Sequence, residues 1–202
     1  MENIARAPVG RPRGFDADEA LERAMLVFWE RGYEGAGLTA LTEAMGITRK
    51  SMYAAFGNKE DLFRKALDRY TAGPASYAAR ALEEPRAREV AAAFLNGSVR
   101  ATTGPGGPAG CLGVQGSLAA GESGRAARDI LAAWREDARL RLRDRFRRAV
   151  EEGDLPTEAD PDLIARHLMA LGNGIAVQAA GGTSRAELQR VADAALRSWP
   201  PL

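Results

Sequence analysis

An all-α fold in two parts, a small N-terminal head and a larger helical body, follows from three features of the sequence. Residues 38–63, LTALTEAMGITRKSMYAAFGNKEDLF, read as two short helices around a tight turn followed by a third helix, the layout of a DNA-reading helix-turn-helix. Apolar residues recur at helical spacing through the C-terminal half, as in Ile164, Leu168, Leu171, Ile175 and Ala179. No run of useful length alternates with the two-residue period of a strand. With 202 residues, 46% of them hydrophobic, the chain can bury a full core.

The first helix starts at an Asp16 cap, with Glu19 placed for a capping box, and runs to about Arg31 with Leu21, Ala24, Met25 and Phe28 on its apolar face. Thr39 can cap the next helix, whose buried positions are Leu41, Ala44 and Met45, and Gly46 ends it as a left-handed turn residue. Ile47 fills the angle before the following helix. Thr48 caps that helix, which turns Arg49, Lys50, Ser51 and Tyr53 outward and Met52, Ala55 and Phe56 inward. No carboxylate lies between Ile47 and Lys59, so the polar side chains exposed there can all bind phosphate or a base edge; an ordinary buried hairpin needs no such omission. Asn58 starts the third helix of the unit, with Glu60 and Asp61 in the first turn, where the helix dipole favours negative charge. Lys59 runs against that preference, and an approaching phosphate would make the cation easier to tolerate.

Bulk charge does not identify a nucleic-acid binder, because the formal net charge is +1 and residues 1–72 carry 11 basic and 11 acidic groups. The local distribution is more telling. Arg49, Lys50 and Lys59 form an uncompensated patch, while the acids cluster on the first helix. Arg6, Arg11 and Arg13 against Glu2 make a basic arm that either reaches into a minor groove or is simply a frayed terminus.

From GRPRGFD at Gly10 through ALERAMLVFWERGYEG, LTALTEAMGI and TRKSMYAAFGNKEDLFRKALDRY, the N-terminal segment resembles the DNA-binding domain of the TetR family of transcriptional repressors. The marks are Phe28, Gly32 and Tyr33 at the end of the first helix, the turn glycine Gly46, then Tyr53, Phe56 and Lys59. The resemblance implies that Thr39, Thr48, Tyr53 and Lys59 anchor phosphates and that Arg49, Lys50 and Ser51 face base edges. Thr42 departs from the family, which usually places alanine there against the recognition helix. The resemblance also implies a homodimer and a body that holds a small-molecule inducer.

The chain divides into a helix-turn-helix head over residues 1–72 and a ligand-binding and dimerisation body over 73–202, with small residues at 72–74 and Pro85 marking the change. Body helices are expected at about 86–102, 112–120, 124–152, 160–180 and 184–198. Glycines and prolines at 104–110 form a loop and not a dinucleotide fingerprint, since no strand precedes them and two prolines lack the N–H groups a phosphate would need. The helix at 124–152 carries Arg135, Arg139, Arg141, Arg143, Arg145, Arg147 and Arg148, but Glu136, Asp137, Asp144, Glu151 and Glu152 are spaced to pair with them, so a solvated, ion-paired face is expected. Its residues Leu131, Trp134, Ala138, Leu142, Ala149 and Val150 should pack inward. The last two helices, near 160–180 and 184–198, offer more apolar surface than one small body covers easily. A two-fold four-helix interface would bury it, the alternative being that both complete the monomer core.

A mostly apolar cavity with few polar groups is what a small-molecule site requires, and Phe94, Cys111, Gln115, Leu118, Trp134, Met169 and Asn173 are the candidates to line one. Gly110, Cys111 and Leu112 resemble a Gly-Cys-Leu segment of one branch of the family, in which Asn is more usual at the position of Gln115. A single cysteine excludes an internal disulfide framework and a multi-cysteine zinc site and favours a reducing, cytoplasmic compartment; no metal and no cofactor are implied. Cys111 is expected to be structural, the alternative being a redox- or electrophile-sensitive thiol activated at a helix N-terminus. No segment has the length of a membrane span. The leading function is a repressor that binds double-stranded operator DNA and is released by a small molecule. Two alternatives stand beside it, an enzyme using Cys111 as nucleophile and His167 as base, and an architectural DNA binder without a ligand.

Overall fold

The computed structural model describes residues 14–115 and 124–200, and among them there are ten helices and no strand. The arm residues Arg6, Arg11 and Arg13 and the cavity candidate Leu118 lie outside the described residues. Four helices make the head: α1 (Ala17–Gly35), α2 (Leu38–Met45), α3 (Arg49–Phe56) and α4 (Lys59–Ala72). The body follows with α5 (Tyr77–Ala81), α6 (Ala87–Thr102), α7 (Leu112–Gln115), α8 (Arg125–Glu151), α9 (Pro161–Ala180) and α10 (Arg185–Arg197). None of these helices is long and apolar enough to cross a membrane.

Local chemistry explains most boundaries. Asp16 caps α1 by accepting the Asp18 and Glu19 N–H groups, but the Glu19 carboxylate pairs with Arg23 one turn on, so the expected capping box is replaced by an i,i+4 ion pair. α1 also continues past Arg31 through Gly32, whose φ of 68° interrupts the helical backbone where a side chain would be strained. Gly37, not Thr39, is the N-cap of α2; Thr39 lies inside the first turn, because the chain already enters the helix one residue earlier. Gly46 closes α2 in the left-handed conformation at φ 67°, as its position predicts. Asn58 and Asp61 form a reciprocal capping box on α4. The short α5 has no clear signal in its small-residue sequence and is fixed from outside, by Tyr77 packing where α6 has Gly97; a Cβ at Gly97 would lie 2.5 Å from the Tyr77 ring.

Two apolar clusters hold the fold. One joins α1–α4 to Cys111 and Leu112, to Ala127 and Leu131 at the start of α8, and to Ala176 of α9. The other joins α5, α6, α9 and α10 to Leu142, Phe146 and Ala149 at the far end of α8. The head therefore shares its core with the body. The α8 arginines correct the expectation of a uniformly solvated face. Arg141, Arg147 and Arg148 are ion-paired with Asp137, Asp144, Glu151 and Glu152 at the expected i,i+3 and i,i+4 spacing, while Arg143 pairs with its chain neighbour Asp144. Arg139 and Arg145 are instead buried, because α8 runs between body elements: Arg139 bridges Glu136 and Asp162 of α9, and Arg145 donates to the carbonyls of Glu84 at 2.7 Å and Pro85 at 2.8 Å. On the outer side of α9 and α10, Leu163, Val177 and Val191 are exposed, and Gly174 has open space where a Cβ would stand.

Candidate nucleic-acid interface and body cavity

The helix α3 is oriented by what it buries. Met52 and Phe56 enter the head core, Ala55 and Ile47 pack against it, and Arg49, Lys50 and Tyr53 are left in solvent. The Thr48 hydroxyl accepts the Ser51 N–H at 3.1 Å and shares a 3.0 Å hydrogen bond with the Ser51 hydroxyl, so Ser51 is half-buried and engaged with the cap. Arg49 Nη2 donates to Thr39 Oγ1 at 2.7 Å, which ties α3 to α2 and gives Thr39 a partner instead of a capping role. Lys50 is exposed with no partner among the described residues. Thr42, the buried departure from alanine, turns its hydroxyl onto the Leu38 and Thr39 carbonyls at 2.9 and 3.1 Å, so it places no unpaired group against α3. Lys59 holds its ammonium 4.4 Å from the centre of the Tyr33 ring. Partial burial lowers its pKa, and Glu34 opposes that shift.

The body contains a small, partly enclosed cavity of about 40 Å³ between α5, α6, α7, α8 and α9. Five of the sequence candidates meet there: Phe94, Cys111, Trp134, Met169 and Asn173. Gln115 does not. Its Nε2 donates to the Ala109 carbonyl at 3.0 Å, which fastens the glycine-rich loop, and its buried Oε1 has no partner among the described residues. A second, more open pocket of about 250 Å³ lies toward α4 and shares Ala75, Ala78, Phe94, Trp134 and Ala138 with the first. Trp134 is the largest side chain common to both, and its indole N–H donates to Thr71 Oγ1 of α4 at 2.8 Å.

Burial pushes the Cys111 thiol pKa up, and a hydrogen bond with Tyr70 only partly offsets this. Burial likewise pushes the Tyr77 phenol well above its usual range. Cys111 is therefore a protonated, inward-facing thiol. His167 lines a different hollow, the groove beside α10 with Glu187, Arg190 and Asp193, so the cysteine and histidine of the enzyme alternative do not share a pocket. Among the described residues, no group of three or more His, Cys, Asp and Glu side chains is placed to hold a metal ion. Trp29 makes a head-to-body contact that helical periodicity does not reveal; it is buried in the head yet donates its indole N–H to the Gly110 carbonyl of the body at 3.2 Å.

Residues 20–66 match the model of bacterial regulatory proteins of the tetR family, and residues 85–195 match that of the tetracyclin repressor-like C-terminal domain. The chain belongs to the tetR family. It is similar to the HTH-type transcriptional repressor ComR of Escherichia coli (strain K12), with 33% identity covering 96% of this chain and 93% of ComR. BdcR of the same organism, also an HTH-type transcriptional repressor, is 34% identical over 55% of this chain and 57% of its own. Among solved structures, a cysteine mutant of the TetR family regulator CifR complexed with 26-bp double-strand operator DNA superposes with a TM-score of 0.90, at 44% identity, covering 95% of this chain and all (100%) of that one. The all-α head and body are those of tetR-family structures, and this tetR-family chain is a DNA-binding transcriptional regulator whose relatives are transcriptional regulators.

Proposed function

We propose that this chain is a homodimeric repressor, with residues 1–72 as its DNA-reading head and 73–202 as its body, that binds a near-palindromic operator and lets go when a small molecule enters the body. The outward face of α3 carries the reading, since a short helix capped by Thr48 offers Arg49, Lys50 and Tyr53 to solvent while its other side is locked in the core. In this assignment Arg49 and Lys50 read base edges in the major groove, Ser51 does so only by exchanging its bond with Thr48, and Thr39, Thr48, Tyr53 and Lys59 hold phosphates. Arg11 and Arg13 extend the contact from the arm. The exposed Leu163, Val177 and Val191 support dimerisation through α9 and α10, and two recognition helices one turn of DNA apart, about 34–36 Å, fit successive major grooves. The ligand site is the cavity of Phe94, Cys111, Trp134, Met169 and Asn173 with the adjoining pocket. We assign the protein no catalytic role and place it in the cytoplasm.

A gel shift with the DNA flanking its own gene, against an unrelated duplex of equal length, tests the reading. Selective retardation of the flanking DNA is expected; equal retardation of both duplexes would leave only an architectural binder.

A further inference from the structure

The glycine- and proline-rich loop between α6 and α7 is tied down at both ends. At its base the Gly110 N–H donates to the Thr102 carbonyl at 2.9 Å, closing the loop on itself. On the body side, Arg185 at the start of α10 donates through Nε to Thr103 Oγ1 at 2.9 Å and through Nη2 to the Arg100 carbonyl at 3.4 Å. On the head side, the Trp29 indole of α1 donates to the Gly110 carbonyl. Gly107 lies so close to the Trp29 ring that a Cβ there would come within 2.6 Å of it. Pro105, Gly106 and Pro108 face Leu26, Val27 and Glu30 of α1 and Ala44 of α2 across a shared hollow. Gly110 has a φ of +92° and is hemmed in by Gln115 and Ala180, so its carbonyl is held toward Trp29 by a conformation few other residues adopt.

The polar fastenings between head and body include α4 to α8 through Thr71 and Trp134, α4 to the start of α7 through Tyr70 and Cys111, and, separated from both, α1 to the loop through Trp29. The shared apolar core seats the head, and the α1 bond to the loop, set apart from those of α4, narrows how the head can turn on that seat. We propose that residues 103–110 act as a strap that sets the orientation of the DNA-reading head relative to the dimer helices, so that Trp29 and Arg185, far from the reading face, determine how strictly the dimer demands one half-site spacing. Both are positioning residues, and the inference rests on the dimeric DNA-reading function proposed above. A strap running from α10 to α1 transmits the geometry of the dimer face directly to the heads. Loosening either end widens the range of head spacings sampled, so that mis-spaced operators are accepted more readily.

The test starts with a duplex enriched from a random-sequence pool by the full-length wild-type protein, and with the same duplex lengthened or shortened by one base pair at its centre. One base pair changes the half-site separation by about 3.4 Å and the relative rotation by about 35°. The readout is the ratio of Kd on the altered duplex to Kd on the selected one. In Trp29→Phe, which keeps the ring and loses the donor, this ratio should fall about 3- to 10-fold below wild type, the scale of one lost neutral hydrogen bond. Arg185→Ala, a change outside the core, should lower it in the same direction and carries the test should Trp29→Phe fail to fold. A merely structural role would reduce affinity for all three duplexes equally and leave the ratio unchanged. An unchanged ratio in folded, dimeric Arg185→Ala, or in both variants, overturns the strap. Enrichment of no sequence by the wild-type protein overturns the DNA-reading proposal itself, and the strap's role with it.

Discussion

Arg49 and Lys50 are neighbours on α3, but the structure prepares them differently. Fixing a long cationic side chain costs up to about 2 kcal/mol of rotamer freedom. Part of that cost is already met for Arg49, whose Nη2 is held on Thr39 Oγ1 at 2.7 Å while its other guanidinium donors remain available to a base. Lys50 has no such anchor. A bidentate base contact contributes about 1–3 kcal/mol of discrimination, so Arg49→Ala should lie near the upper end, about 2–3 kcal/mol or roughly 30- to 150-fold at one base pair, and Lys50→Ala near about 1 kcal/mol or roughly 5-fold. Thr39→Val should cost about 0.5–1.5 kcal/mol in the wild-type background and less once Arg49 is alanine, because only its phosphate contact is then left to lose. All three sites are exposed, so melting temperatures should barely move. Fluorescence anisotropy on single-base-pair variants of the operator, at one fixed salt concentration, measures these differences. Equal loss on every duplex in Arg49→Ala, or additivity of Thr39→Val and Arg49→Ala within about 0.3 kcal/mol, would refute the reasoning.

Leu163→Asp on the exposed side of α9 should give a folded monomer in sedimentation at micromolar concentration and a loss of cooperative operator binding; a persisting dimer would move the interface elsewhere. Cys111→Ser should bind operator normally, and the native thiol, kept protonated by burial, should resist iodoacetamide until the protein is unfolded; fast labelling of the native state, with release of DNA, would instead make Cys111 a sensor. The Asp162 carboxyl is held below its usual pKa, first by its hydrogen bond with Arg166 and further by Arg139, so its stabilising effect is present above the ordinary carboxylate pKa and lost as the pH falls through the lowered one. Urea titrations should therefore find Asp162→Asn less stable than wild type at about pH 7, with the gap narrowing at about pH 3; an equal gap at both would contradict the pairing.

What the sequence made legible was local. Thr48, Gly46, Asn58 and the apolar spacing of α3 are short-range signals, read by a chain that has only to fold a few residues at a time, and all of them stand in the structure as expected. Thr39 has the side chain of a cap, yet the helix starts from Gly37, which has no capping side chain to signal it and is set there by the entering backbone. Arg139 and Arg145 show the other limit. Their charge and spacing match those of their solvated neighbours, and their burial depends on where α9 and the α5–α6 turn lie, which helical periodicity does not encode. Five cavity residues could be gathered from type alone, since large apolar side chains with a few polar ones must face inward somewhere, but Gln115 belongs to a loop contact that no pattern announces.

A ligand loosens DNA only through its different affinity for two head arrangements, and a coupling of about 1–3 kcal/mol, roughly 5- to 150-fold, is the usual scale. The cavities say where that difference would arise. The inner space of about 40 Å³ is far below the hundreds of Å³ that drug-sized molecules need, so a sizeable apolar ligand does not fit it as it stands. A route in from the more open pocket of about 250 Å³ leads past the side chains that line both spaces, of which Trp134 and Phe94 are the largest. Moving Trp134 breaks its bond to Thr71 and disturbs its contact with the Tyr70 ring, both on α4, while Tyr70 is hydrogen-bonded to Cys111 and packed edge-on against Trp29. The displaced side chain is therefore the same one that fastens α4 to the body. A ligand that displaced Trp134 would therefore loosen the α4–α8 contact as it entered, which is the kind of differential interaction with two head arrangements that coupling requires.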